Sequence, residues 1–350
     1  MKDVTEIVKE KAGSFVQYDE SEILYEIEKM YAGRLELLPM DEAIKKYRFV
    51  REKMGKLVRV DRYAEKAIKE RTGGYFIRIK RGAKIEKPVQ TCLIMKRGGE
   101  QKPWNMIVVE EGARATVVTG CSGAALLSEG LHIGGTEFFV GENARLDYVM
   151  IHVWPRDIEV RPRSAAVVSK NGIFNSLYVA LRPGAIIQMN PVVEAGRGAK
   201  VELLSILKGE RGTVVDVGGE IHLTGRESSG LIKSRSVAYR KAKITVRSKI
   251  VGYGKSRGHV DCRGIVMEEG AEINAVPVLE SRSRDTLLTH EAGVGKIEEE
   301  QLFYLETRGF SEEEATELVV RGFLSPRIPW LSRELRREIE LLARVAARGS

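Results

Sequence analysis

The chain has 350 residues, 43% of them hydrophobic and 30% charged, a balance that excludes a disordered or collagen-like polymer and permits a full apolar core. No run of about twenty apolar residues occurs, and the amino-terminal MKDVTEIVKEKAGSF is charged where a secretory signal needs an apolar stretch, so neither membrane insertion nor export is expected and the compartment reads as cytoplasmic. The net charge of +8 is dispersed among acids rather than gathered into a basic, aromatic-interleaved run, which points away from nucleic acid, and Cys92, Cys121 and Cys262 are too far apart for a disulfide framework or a zinc knuckle.

The predicted elements begin with a helical region over 1–72. Ser21 is placed to cap a segment in which Ile23, Leu24, Ile27 and Met30 recur at helical spacing. Asp41, just after Pro39, opens a second segment through Ala43, Ile44 and Tyr47, and Asp61 caps a third that ends near Gly73 and Gly74.

From Tyr75 to about Glu291 the pattern changes to short β-branched and aromatic runs broken by Gly, Asn and charged pairs: YFIRI, TCLIM, NMIVV, TEFFV, KITVRSKIV. No helical pattern of useful length interrupts them, which excludes alternating βαβ units and gives a mainly β core over 73–292. One turn phrase recurs, a Gly or Asn followed by Ala, at Ala83, Ala113, Ala144, Ala185, Ala199 and Ala271. Gly and Asn accept positive φ, and a small Ala lets stacked backbones approach, as solenoid corners require. The spacing is about thirty between the first three and irregular afterwards, so the repeat is degenerate. The pattern favours a parallel β-helix while leaving a sandwich or barrel open.

The segment 293–350 returns to helices. Gly309 is a C-terminal stop after LFYLETR, and Ser311 with Glu314 forms a capping box ahead of Ala315, Leu318, Val319 and Phe323 on one helical face. Beyond Pro326 and Pro329, Leu335, Ile339, Leu342 and Ala346 form the stripe of a further amphipathic helix.

Enzymatic signatures are missing. The sequence has no GxxxxGK[ST] loop, no HExxH and no GxSxG, so ATP hydrolysis, if used, must come from a partner. What stands out is a concentration of soft and borderline ligands: His259, Asp261 and Cys262 in GHVDCRG, then His290 and Glu291 in THEAGVG. Thiolate and imidazole suit iron and iron–sulfur chemistry, and a carboxylate can hold incoming ferrous ion. Cys262 and Glu291 are 29 positions apart, about one coil of a large β-helix, which allows neighbouring rungs roughly 4.8 Å apart. His290 and Glu291, being adjacent, face opposite sides of a regular strand. A lone β-domain Cys is more often a small core residue, and Cys92 and Cys121 sit in apolar runs that suit packing; Cys121 as a sulfur carrier is the remoter reading.

At these residues the sequence resembles a known family. The stretch 258–323, with its HEA…QLFYL…RG phrase, is similar to the carboxy-terminal hallmark of the SufB/SufD family of iron–sulfur cluster assembly proteins, and 73–95 resembles its short archaeal-type members; the likeness covers roughly 73–327. The resemblance implies a right-handed parallel β-helix flanked by helical segments, dimerisation through the β-helices, and a SufC-type ABC ATPase docked on the carboxy-terminal helices around Leu302, Phe303, Leu305, Leu318 and Val319. It also implies that Cys262 matches the SufB cysteine where the transient cluster forms, that Glu291 matches the SufB glutamate, and that His290 aligns with the histidine SufD contributes across the interface. A chain holding all three types is expected to form a complete site as a homodimer, or to act in a SufB/SufD-type heterodimer.

The chain lacks the CxxC of large bacterial SufB proteins, which leaves the sulfur donor and its route open. Two other classes compete: a SufD-like structural partner without its own cluster site, against which Cys262 together with Glu291 argues, and a carbohydrate-active β-helix, for which an export signal is missing.

Overall fold

The computed structural model describes residues 7–20 and 22–347. Between Tyr75 and Gly295 the chain winds as a β-solenoid of about 8 turns, its strands pairing in parallel with those one coil before and after. Two sheets form its walls. The first stacks ten strands, among them Val89–Met95, Arg114–Gly123, Arg145–Val153, Ile173–Arg182, Lys200–Gly209, Ser229–Ala238, Ser256–Val266 and Thr286–Gly295. The second stacks the returning strands and ends with Lys243–Gly252 and Glu272–Ser281.

The irregular spacing of the Gly/Asn–Ala phrase has a structural cause. Ala83, Ala113, Ala144 and Ala199 stand at the corner leading into the first sheet, whereas Ala185 and Ala271 stand at the corner leading into the second. One turn chemistry therefore serves both corners, and the two series interleave in sequence. Gly112, Asn143 and Gly198 hold positive φ at 67°, 55° and 65°. Their amides donate to the carbonyls of the next coil, Gly112 to Glu142 and Asn143 to Lys170, so each corner is hydrogen-bonded to its neighbour.

Three apolar layers result. The solenoid interior is filled by inward residues such as Leu93, Ile107, Leu146, Val201 and Ile244. The outer face of the first sheet, through Val118, Val149, Leu177 and Ile206, packs against Val320, Leu335 and Ile339. These come from the carboxy-terminal helices. The outer face of the second sheet, through Phe76, Trp104 and Met106, packs against Met40, Val50 and Ala64. Those residues belong to the amino-terminal helices α1 (Met40–Lys46), α2 (Arg48–Lys53) and α3 (Arg62–Lys69). Buried Glu137 ties this layer to the sheet by accepting from the amides of Gly55 at 2.7 Å and Leu57 at 2.8 Å and from Trp104 Nε1 at 3.0 Å.

The amino-terminal region differs from the helical expectation. Ser21 lies outside the described residues. Ile23, Leu24 and Ile27 lie on a strand, Glu22–Ile27, antiparallel to Gly13–Tyr18, and Met30 lies in a 3-10 turn. Residues four apart share one face of a strand as well as of a helix, so Ile23 and Ile27 fit both periods. The decisive partner is remote: Gly13–Tyr18 pairs in parallel with Val89–Met95, with Phe15 opposite Thr91. The second segment does form, as α1, but it begins after Pro39 with no side-chain cap, and Asp41 sits inside its first turn. Asp61 caps α3 as expected, accepting from the amides of Tyr63 and Ala64 at 3.1 and 2.9 Å.

At the other end, the chain leaves strand Thr286–Gly295 and enters α4 (Glu299–Thr307), then α5 (Glu312–Phe323) and α6 (Arg333–Ala347). Gly309 takes φ 92° after α4, and the Ser311–Glu314 capping box is formed in both directions. Leu335, Ile339 and Ala346 are buried on the sheet side of α6, with Leu342 half-buried. No helix among the described residues is long and apolar enough to cross a membrane.

Candidate functional site

Cys262 lies on the penultimate strand of the first sheet, Ser256–Val266, between Ser234 of the preceding coil and Ala292 of the last. Its side chain is 1% exposed and belongs to the interior layer. The sulfur stands 3.4 Å from Ser248 Oγ of the facing sheet, so it points into the solenoid.

The last strand carries the other two residues. Register sets His290 beside the interior residue Val260 and hence on the interior face, yet it is exposed because no further coil covers it. His290 is thus one coil outward from Cys262 and two positions along, an offset of roughly 7 Å along the strand. Glu291 is set beside Asp261 and faces outward, with Arg263 3.4 Å from its Oε2. Cys262 and Glu291 do occupy neighbouring rungs, but the one-residue offset turns them to opposite faces of the sheet. Among the described residues no three His, Cys, Asp or Glu side chains converge closely enough to hold a metal ion.

Beneath Glu291, Asp261 is clasped by Arg235 at 2.7 Å and Arg263 at 3.1 Å. Burial opposes its charge, but the hydrogen bonds and charges of Arg235 and Arg263 prevail and hold its carboxyl below the ordinary range. His259, also outward, pairs with Thr289 Oγ1 of the last coil at 2.8 Å.

The last coil is open. Among the described residues, strands Glu272–Ser281 and Thr286–Gly295 each pair on one side only, which leaves a free backbone edge. Val276, Val278, Leu287 and Val294 are 39%, 43%, 62% and 43% exposed there. The edge strand bearing His290 and Glu291 runs into α4 through only the link 296–298.

Of the residues expected to meet a partner, Phe303 on α4 is 65% exposed, whereas Leu302 and Val319 pack partly on the layer under α6, and Leu305 and Leu318 are half-buried. Tyr304 and Phe310, which sequence reasoning passed over, are 59% and 42% exposed and extend the apolar surface around Phe303.

Cys121 also points inward, between Leu93 and His152 in register. Around it lies a buried polar cluster that period-two alternation in the strands would have placed on the inner face. Tyr75 Oη meets Thr119 at 3.0 Å, and His152 Nδ1 meets Tyr178 Oη at 2.9 Å. His132 stacks on Trp154 with centroids 4.8 Å apart. Tyr148 Oη, His152 Nε2 and Trp154 Nε1 are buried and accept or donate no hydrogen bond among the described residues. Burial pushes the Cys121 thiol up, raises Tyr75 to about 12 and drives His132 down to about 3, so the cluster is uncharged near neutrality. Two cavities of about 30 Å3 each follow inside the solenoid, the first lined by Tyr148 and Tyr178, the second by Tyr178 and Ser248. Neither cysteine lines them: Cys121 and Cys262 lie on strands of the first sheet separated by the four strands that begin at Arg145, Ile173, Lys200 and Ser229. Cys92, by contrast, faces outward under the helices.

Residues 93–323 match the family model described as the SufBD core domain of SUF-system FeS cluster assembly. The chain is also similar over nearly its whole length to archaeal proteins named iron-sulfur cluster assembly SufBD family protein. The relative in Archaeoglobus fulgidus is 36% identical over 97% of this chain and 91% of its own length. That in Methanothermobacter thermautotrophicus is 36% identical over 97% and 85%. One in Pyrococcus horikoshii is 32% identical over 97% and 77%.

Proposed function

Since the chain belongs to the SufBD family of iron–sulfur cluster assembly proteins, we propose that it is the scaffold subunit on which a new cluster is built, as a homodimer driven by a SufC-type ABC ATPase. The observation that carries this reading is the position of Cys262 one coil inside an unpaired solenoid end whose rim carries His290 and Glu291. A second copy joined at the free edges brings two sets of these donors to one seam, where a thiolate, an imidazole and a carboxylate suit iron and sulfide. The cluster is cargo: a few thiolates and weaker ligands release it more readily than four cysteines would.

Buried Cys262 has to be uncovered, and the chain connectivity supplies a means. A pull on α4 and α5 at Leu302, Phe303, Leu305, Leu318 and Val319 passes through the link 296–298 into the strand that lies over Cys262. The ATPase would act as the closing device and the edge strand as the moving part. Cys121, buried in the same interior, is the remoter candidate for a sulfur carrier in this scheme.

Anaerobic reconstitution of the full chain with ferrous iron and sulfide, read by visible absorption and Mössbauer spectroscopy, tests the site. Cys262→Ser should lose the cluster bands while keeping the far-ultraviolet circular dichroism of the wild type. Equal cluster formation by that variant would reject the site and leave the SufD-like structural role, in which the chain dimerises and docks the ATPase alone.

A further inference from the structure

Far from the solenoid's open end, α6 roofs a cavity of about 490 Å3 at the carboxy-terminal ends of the strands Arg145–Val153, Ile173–Arg182 and Lys200–Gly209. That volume lies within the range of about 300–1,000 Å3 typical of small-ligand sites. Its sheet wall is aliphatic, with Ile151, Val179 and Leu181, and its helix wall is Leu342 and Val345. Leu341 and Val345, which also line it, remain 47% and 56% exposed at the mouth.

The rim is of different character. Among the described residues, Arg156, Arg182, Lys208 and Arg211 line it with Glu210 and Glu338. Lys208 and Glu210 pair at 2.9 Å. Arg156 and Arg211 are exposed and make no side-chain hydrogen bond or ion pair among the described residues, which leaves positive charge at the mouth of an apolar slot.

We propose that this slot binds a single-chain amphiphile with an anionic head: the hydrocarbon chain lies between α6 and the sheet, and the head meets Arg156 and Arg211 at the rim. Apolar walls remove the chain from water, and the two arginines offer the charge-assisted hydrogen bonds that an oxyanion accepts. A partner's helix fits poorly, because a cylinder about 10 Å across would place only about one turn in this volume. The site is separate from the cluster seam and does not depend on it.

Calorimetric titration of the full chain with decanoate, kept below its micellar concentration, and in parallel with 1-decanol tests the assignment. The expected result is saturable one-to-one decanoate binding. Arg156→Glu combined with Arg211→Glu should weaken it at least tenfold and leave 1-decanol binding unchanged. Val345→Trp, at an exposed position that tolerates bulk, should block both ligands while circular dichroism stays that of the wild type. Non-saturable uptake, equal effects of charge reversal on acid and alcohol, or full binding by the Val345→Trp protein would overturn the proposal. So would a finding that Val345→Trp alters the sedimenting mass instead of ligand uptake, since the slot would then be covered by another copy of the chain.

Discussion

The two ends of the solenoid are built from similar strands and finished differently. At the amino-terminal end, Gly13–Tyr18 extends the first sheet, Glu22–Ile27 folds back antiparallel on it, and Leu35–Pro39 runs antiparallel against Tyr75–Ile79 of the second. The interior residues there, Phe15, Tyr31, Leu35 and Leu37, are no more than 2% exposed. At the carboxy-terminal end no strand among the described residues folds back over the interior. Ile273, Ala275, Leu279 and Leu288 point to the same interior and are only half-buried. An interior lined by hydrocarbon loses about 25 cal/mol for each Å2 it leaves in water, and a free strand edge invites pairing. One end is closed by the segment 13–39, whereas the interior residues of the other stay half-buried.

An open end that needs no cover would erase the difference between the two ends. Val276→Lys with Leu287→Lys puts charge on the free edge, which native edges use to refuse partners. For the homodimer proposed above, sedimentation velocity should show the mass halved with the fold intact; an unchanged mass would remove the edge from the proposed interface.

Next in size, Phe15→Ala should cost about 3–5 kcal/mol in urea unfolding, because it opens a cavity in a closed interior. Leu288→Ala, at the equivalent depth of the open end, should cost the separated chain less than about 2 kcal/mol and cost more once a second copy covers it. Equal penalties in the monomer would mean that the two ends are closed alike.

The smallest effect concerns the charges under the rim. Asp261 titrates below the ordinary carboxylate value of about 3.9 in the folded chain, so its contribution is complete above that pH and is lost as pH falls through the lower folded value. Asp261→Asn should therefore lower stability at pH 7 by about 1–2 kcal/mol, with the difference from wild type shrinking below about pH 4. A difference that stays constant down to pH 2 would show that the Arg235 and Arg263 pairing is not what depresses it.

Much of this was legible from residues in order. Gly or Asn before Ala marks a corner because positive φ and a small side chain are local demands, and Asp61 and Ser311 with Glu314 announce helix starts because a cap is completed within three residues. The family was legible too, in the phrase from Gly258 to Phe323. The strand at Ile23–Ile27 was not, because its spacing satisfies two periods and only a pairing some seventy residues away selects one. That His290 and Glu291 face opposite sides was legible from their adjacency, but which of them shares the interior with Cys262 was not, since a register offset of a single residue turns a side chain from the interior to the surface. The sequence by itself determined the coil, its corners and the kinds of donor present. Which face each donor took, and which end was left open, were decided only when coil stacked on coil, because sheet register and closure are properties of distant segments in contact.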